Sequence, residues 1–169
     1  MMKKSKLTKV AIIAFMMIGV VGIMMFGGIA GAGNYGYAQQ YEFKTDKKEL
    51  IRKVEKFVSQ HAQYKVPDNI GLENSLDSLG DVYNAYLYYP EENSIVHFLI
   101  FDNDEDVNTT SIYLDAINEG VSLGHWKVVN RDYNRKENKH IKSIFEKRVL
   151  DKLNLPYQNK GNGMFVFWK

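Results

Sequence analysis

Residues 82–101 read VYNAYLYYPEENSIVHFLIF, and the fold turns on how this stretch is parsed. Two β-rich runs, 82–89 and 94–101, flank Pro90, Glu91, Glu92 and Asn93. A short polar break containing proline between two such runs is the pattern of a hairpin. The second run is apolar at every position but Ser94 and His97, which predicts a central strand covered on both faces. Tyr83, Tyr86, Tyr88 and Tyr89 lie on the first run, with Phe98 and Phe101 opposite. Side chains alternate across a strand, so some of these rings must face away from whatever helices cover the sheet. They either pack against cross-strand neighbours or offer a partner large apolar area with a polar tip.

Toward the C-terminus, residues 110–118 predict a third strand with Ile112, Leu114 and Ala116 inward. A fourth, 125–130, follows a glycine-containing turn. Residues 134–154 carry Ile141, Ile144, Phe145, Val149 and Leu153 at helical spacing, and Pro156 closes that helix. Gly161, Asn162 and Gly163 then read as a turn before a last strand at 164–168. Toward the N-terminus, residues 68–81 are a loop rich in Asn, Ser, Asp and Gly, with at most one helical turn. Before it, Asp46 and Glu49 have the form of a capping box, and Leu50, Ile51, Val54, Phe57 and Val58 mark an amphipathic helix ending near Gln63. Residues 34–40 read as a polar linker. The order is α-β-β-β-β-α-β: an α+β domain over 41–169, with a mostly antiparallel sheet of about five strands and two packed helices.

The N-terminal residues differ in kind. Lys3, Lys4, Lys6 and Lys9 form a basic head over residues 1–9, and 10–33 contain no charged side chain. As a helix, that segment spans roughly 30 Å or slightly more, enough for a bilayer core. No lysine or arginine follows until Lys44, so the positive-inside bias places the N-terminus in the cytoplasm and the domain outside. The segment's length favours a retained transmembrane anchor. Small residues at Ala30 to Ala32 and at Gly36 to Ala38 support the alternative, a cleaved signal peptide leaving a periplasmic or secreted domain. Gly27 and Gly31 make one GxxxG step at the end of the span, the spacing at which two membrane helices approach closely.

With no cysteine among 169 residues, a disulfide framework, a thiolate metal site and a cysteine nucleophile are all excluded. The net charge of +2 conceals a strong polarity. Between Val66 and Trp126 there are twelve acids and no lysine or arginine, whereas residues 127–152 hold nine basic side chains against four acidic ones. Three consequences compete: compensation within the fold, an acidic surface for a basic partner, or a basic helix face against anionic lipid or wall polymer. Nucleic acid is not an expected partner for a domain outside the cytoplasm.

Gly120, Val121, Ser122, Leu123 and Gly124 match G-x-S-x-G, and Asp132 and His140 follow in the order used by α/β-hydrolases. The context is wrong, since a strand rather than a helix follows Ser122, and two glycines around a small residue are ordinary turn composition. Asp102, Asp104, Asp106 and Asn108 have the alternation of a calcium loop, yet an EF-hand needs Gly and Glu where this chain has Val107 and Tyr113. Only weak Ca²⁺ binding is expected there. His61, His97, His125 and His140 show no metal spacing, and His97 reads as a hydrogen-bonded sheet histidine. No phosphate or dinucleotide fingerprint is present, so no cofactor is expected.

The sequence therefore predicts a non-enzymatic, membrane-tethered extracytoplasmic module that binds a protein, such as an immunity protein or an envelope accessory protein. Glu91, Glu92, Asp102, Asp104, Asp106, Tyr86 and Tyr88 are the candidate partner-binding residues. The alternative is a secreted small hydrolase or glycan-binding protein using Ser122 or the aromatic hairpin.

Overall fold

A computed structural model describes residues 34–103 and 108–162. The apolar segment 10–33, Asp104, Asp106 and the strand expected at 164–168 lie outside the described residues. Among the described residues, no helix is long and apolar enough to cross a membrane.

The domain is α+β, as the hydropathy pattern predicts, with seven strands among the described residues where the sequence reading expects about five in all. These are β1 (Gln39–Phe43), β2 (Ser75–Leu76), β3 (Tyr83–Tyr89), β4 (Ser94–Asp102), β5 (Thr110–Glu119), β6 (Trp126–Val128) and β7 (Tyr157–Asn162). The sheet runs β2-β3-β4-β5-β1-β7, and every pairing is antiparallel. One edge of β5 serves two partners: β1 pairs with residues 110–114 and β6 with residues 116–118.

Both helices form where the apolar spacing predicts. Helix α1 (Lys47–Gln60) is capped by Asp46, whose carboxylate accepts from Glu49 N at 2.9 Å. Helix α2 (Arg135–Arg148) begins with a reciprocal capping box between Asn134 and Glu137. Each is followed by a 3-10 turn, Ala62–Tyr64 and Leu150–Leu153 respectively. Leu50, Val54 and Phe57 of α1 and Phe145 of α2 join one core with Val96, Phe98 and Ile100 of β4. The two helices therefore cover the same face of the sheet. Tyr83, Ala85, Leu87 and Tyr89 alternate into that core, and Tyr86 and Tyr88 point to the other face.

Three details depart from the sequence reading. Residues 34–40, expected as a linker, instead supply a 3-10 turn and the first two residues of β1, which lies between β5 and β7. Gln39 and Gln40 hide there because their amides are bonded: Gln39 Nε2 donates to Asn159 Oδ1 and Gly161 O, and Gln40 Nε2 donates to Ser111 Oγ. Second, the last described strand is Tyr157–Asn162, so Gly161 and Asn162 belong to a strand and not to a turn. Gly161 sits beside a register shift against β1 at φ 88°, where a side chain would be strained. Third, Ala116 faces away from the helices. His97 pairs with Ala116 and Phe98 with Leu114, so Asp115 is an extra residue in β5 and reverses the alternation beyond it.

Candidate functional site: the helix-free face of the sheet

The bulge in β5 determines what this face presents. Asp115 is only 8% exposed, and its Oδ2 lies 3.1 Å from His97 Nδ1 on β4. Across the other side of the imidazole, Nε2 is 3.3 Å from Asn84 Oδ1 on β3. Both ring nitrogens are thus engaged by side chains from the neighbouring strands. Asp115 Oδ1 is buried with no hydrogen-bond partner among the described residues, so the carboxylate's polarity is directed at the histidine.

Three rings complete the cluster. Tyr86 stacks on His97 with centroids 4.7 Å apart and an interplanar angle of 16°. Trp126 of β6 meets the His97 ring edge-on at 6.0 Å and Tyr86 at 6.4 Å and 60°. Such contacts contribute about 0.5–1.5 kcal/mol each beyond the area they bury, enough to hold the rings in one arrangement. Tyr86, His97 and Trp126 are all half-buried. Tyr88, two residues along β3, keeps its hydroxyl near the hairpin turn by donating to Asn93 Oδ1 at 3.1 Å. The same face is apolar further along: Leu99, Tyr113 and Ala38 are buried together, and Phe101 stacks on Tyr113 at 4.2 Å and 2°.

The described acidic candidates, Glu91, Glu92 and Asp102, sit elsewhere and are each paired with a basic side chain. Arg148 at the end of α2 reaches the tip of the β3–β4 hairpin, where its guanidinium contacts Glu92 at 2.7 and 2.9 Å and Glu91 at 3.3 Å. It also lies over the Tyr89 ring at 5.0 Å. Hydrogen bonding to Glu92 raises its pKa, so the charge is permanent there. Asp102 pairs with Lys47 at 3.3 Å, and Glu119 with Lys127 at 2.6 Å. Lys47, Lys127 and Arg148 thus offset four acids of the acidic stretch, Asp102, Glu119, Glu91 and Glu92. Asp104 and Asp106 lie outside the described residues, and the calcium expectation rests on them. Among the described residues, no cluster of three or more histidines and carboxylates is arranged to hold a metal.

Ser122 occupies an exposed turn between β5 and β6, flanked by Gly120 at φ 81° and Gly124 at φ 110°. Asn118 shapes that turn, its Nδ2 donating to Gly120 O and Ser122 O at 2.9 Å each. The carboxylate of Asp132 is taken by Arg131 and the Val128 N–H, and His140 is exposed on α2. No hydrogen bond among the described residues connects Ser122 with either. His61 stacks on Phe57 and bonds its carbonyl, while His125 is exposed at the start of β6.

The sequence singled out Tyr86 and Tyr88 as candidates and read His97 as a hydrogen-bonded sheet histidine. Asn84, Asp115 and Trp126 escaped it, because their association depends on strand register and on a bulge. Thr110 to Asn118 offered one signal, an aspartate inside an otherwise strand-like run. No protein-family model, curated protein or solved structure matches the chain.

Proposed function

We propose that this chain is a non-catalytic, membrane-tethered extracytoplasmic module that binds a protein partner through the helix-free face of its sheet. The observation that carries this reading is the ring cluster of Tyr86, His97 and Trp126, partly exposed and held through His97 by Asp115 and Asn84 on the neighbouring strands. Rigid aromatic side chains lose little conformational entropy on binding and bury large area, which is why they dominate protein interfaces. The tilt of Trp126 against Tyr86 gives no flat platform, which favours a contoured protein surface over the stacked face of a sugar. The tether rests on the basic head and the uncharged segment 10–33, and the orientation on the absence of lysine and arginine between Lys9 and Lys44. Glu91 and Glu92, tied to Arg148 on the helix side of the hairpin tip, lie outside that surface.

Affinity capture by the full-length protein from detergent-solubilised membranes tests this. Wild type is compared with a Tyr88→Ser, Trp126→Ser variant and with a Glu91→Lys, Glu92→Lys variant, each checked for native circular dichroism. The aromatic variant is expected to lose a partner that wild type and the charge-reversed variant both retain. Equal recovery by all three, or none by wild type, would overturn the proposal.

A further inference from the structure

Lys142 on α2 is the least expected cation in the domain. Its ammonium donates to two neutral oxygens, Gln39 Oε1 and Asn130 Oδ1, each at 3.0 Å. No carboxylate among the described residues lies within ion-pair distance of it. The nearest acid along the helix is Glu146, one turn on, whose Oε1 already accepts from Tyr41 Oη at 3.0 Å and Asn159 Nδ2 at 3.2 Å. Partial burial lowers the pKa of Lys142, with Glu146 opposing that shift. The lysine is also held in place. Asn130, in a left-handed conformation at φ 62°, has its backbone N–H bonded to Asn138 Oδ1 and its Nδ2 to Tyr37 O, which aims its Oδ1 at the ammonium.

Arg135 and Lys139 lie seven and three residues before Lys142, so the three cations share one side of α2. Neither makes an ion pair among the described residues. The three line a groove of about 670 Å³ together with Asn130, Ser143, Asn159 and one carboxylate, Glu146, whose Oε1 is taken by Tyr41 and Asn159. Three cations face a single carboxylate here, and the partly buried Lys142 ammonium has no direct ion pair, so an anion entering the groove would be favoured electrostatically.

We propose that this groove on α2 binds a phosphate-bearing ligand, with the phosphate seated between Lys142 and Lys139 and Arg135 contacting it from the first helical turn. A phosphate offers several oxygens in different directions, which suits cations converging from two turns of helix and the Ser143 hydroxyl better than a planar carboxylate does. The groove is much larger than one phosphate, so the rest of the ligand extends past Asn159 along α2. This site is independent of the ring cluster on the opposite face of the sheet.

Lysine reactivity supplies the test. The full-length protein, in detergent micelles, is reductively methylated with and without inorganic phosphate, and modification is read lysine by lysine by mass spectrometry. Phosphate is expected to slow labelling of Lys142 and Lys139 several-fold and to leave the exposed Lys136 and Lys147 unchanged. Chloride at matched ionic strength should protect neither. The Arg135→Gln variant, altered only at an exposed position, should lose most of the protection while keeping its native circular dichroism. A second arm compares protein reconstituted in phosphatidylcholine with and without phosphatidylglycerol. Protection by the anionic lipid alone assigns the phosphate to a headgroup, and protection by inorganic phosphate alone assigns it to a free ligand. Equal protection by chloride, or none in either arm, would overturn the proposal.

Discussion

At the residue scale, Asp132 has the most direct dependence on pH. The Arg131 guanidinium above all, helped by the Val128 N–H, holds its carboxyl down at about 2, below the ordinary 3.8. A carboxyl depressed in the folded state stabilises the fold fully above its unfolded pKa, and that contribution fades as the pH falls through the folded value. Asp132→Asn is therefore expected to be less stable than wild type at neutral pH, with the gap closing between about pH 4 and pH 2. Urea denaturation at stepped pH measures this, and a gap independent of pH would contradict it. Arg148 illustrates a different residue-level effect. Pairs of this partly exposed kind are worth about 0–1 kcal/mol, so its contacts to Glu91 and Glu92 chiefly fix where the hairpin tip meets α2.

At the element scale, what the sequence reveals depends on whether an element buries an apolar stripe. Helices α1 and α2 and strands β3, β4 and β5 do so, and each lies within a few residues of its expected span. Strands β1 and β7 read QQYEF and YQNKGN, and polar residues such as these give no period to detect. They are strands because distant groups satisfy them: the partners of the Gln39 and Gln40 amides lie 71 to 122 residues away in sequence. The bulge at Asp115 was equally hidden, and with it the outward turn of Ala116 and the pairing that positions His97. Local signals were reliable where they were complete, as at the start of α2. There Asn134 Oδ1 accepts from Lys136 N and Glu137 N at 2.9 and 3.0 Å, and Glu137 bonds back to Asn134 N. Asn134→Ala is expected to cost about 1 kcal/mol in equilibrium urea unfolding, and no measurable loss would show that the cap contributes nothing.

At the scale of the whole molecule, the earliest described strand closes the sheet. β1 pairs with β5 and β7, and Tyr41 and Phe43 carry its apolar side into the core against Phe145 and Tyr157. A chain beginning at Asn34 retains every one of these contacts, while one beginning at Lys44 loses them and leaves β7 without a partner. The shorter chain is expected to lack a cooperative thermal transition by circular dichroism and the longer to show one. A native-like transition in the shorter chain would mean that the sheet tolerates the gap. The acidic middle and basic flanks of the sequence also meet at this scale, through Lys47 with Asp102, Lys127 with Glu119, and Arg148 with Glu91 and Glu92.

The position of β1 has a mechanical consequence. Tension arriving through the chain ahead of Asn34 would run along the axis of a strand bonded on both sides. Antiparallel ladder bonds lie perpendicular to that axis, so tension opposed from the far end of β5 would load them together in shear, whereas tension opposed at Asn162, which pairs with Gln39, would open the β1–β7 ladder from its end. Shear loading resists force far better than peeling. The strand that looks least like a strand would then carry any load that enters through the chain before it.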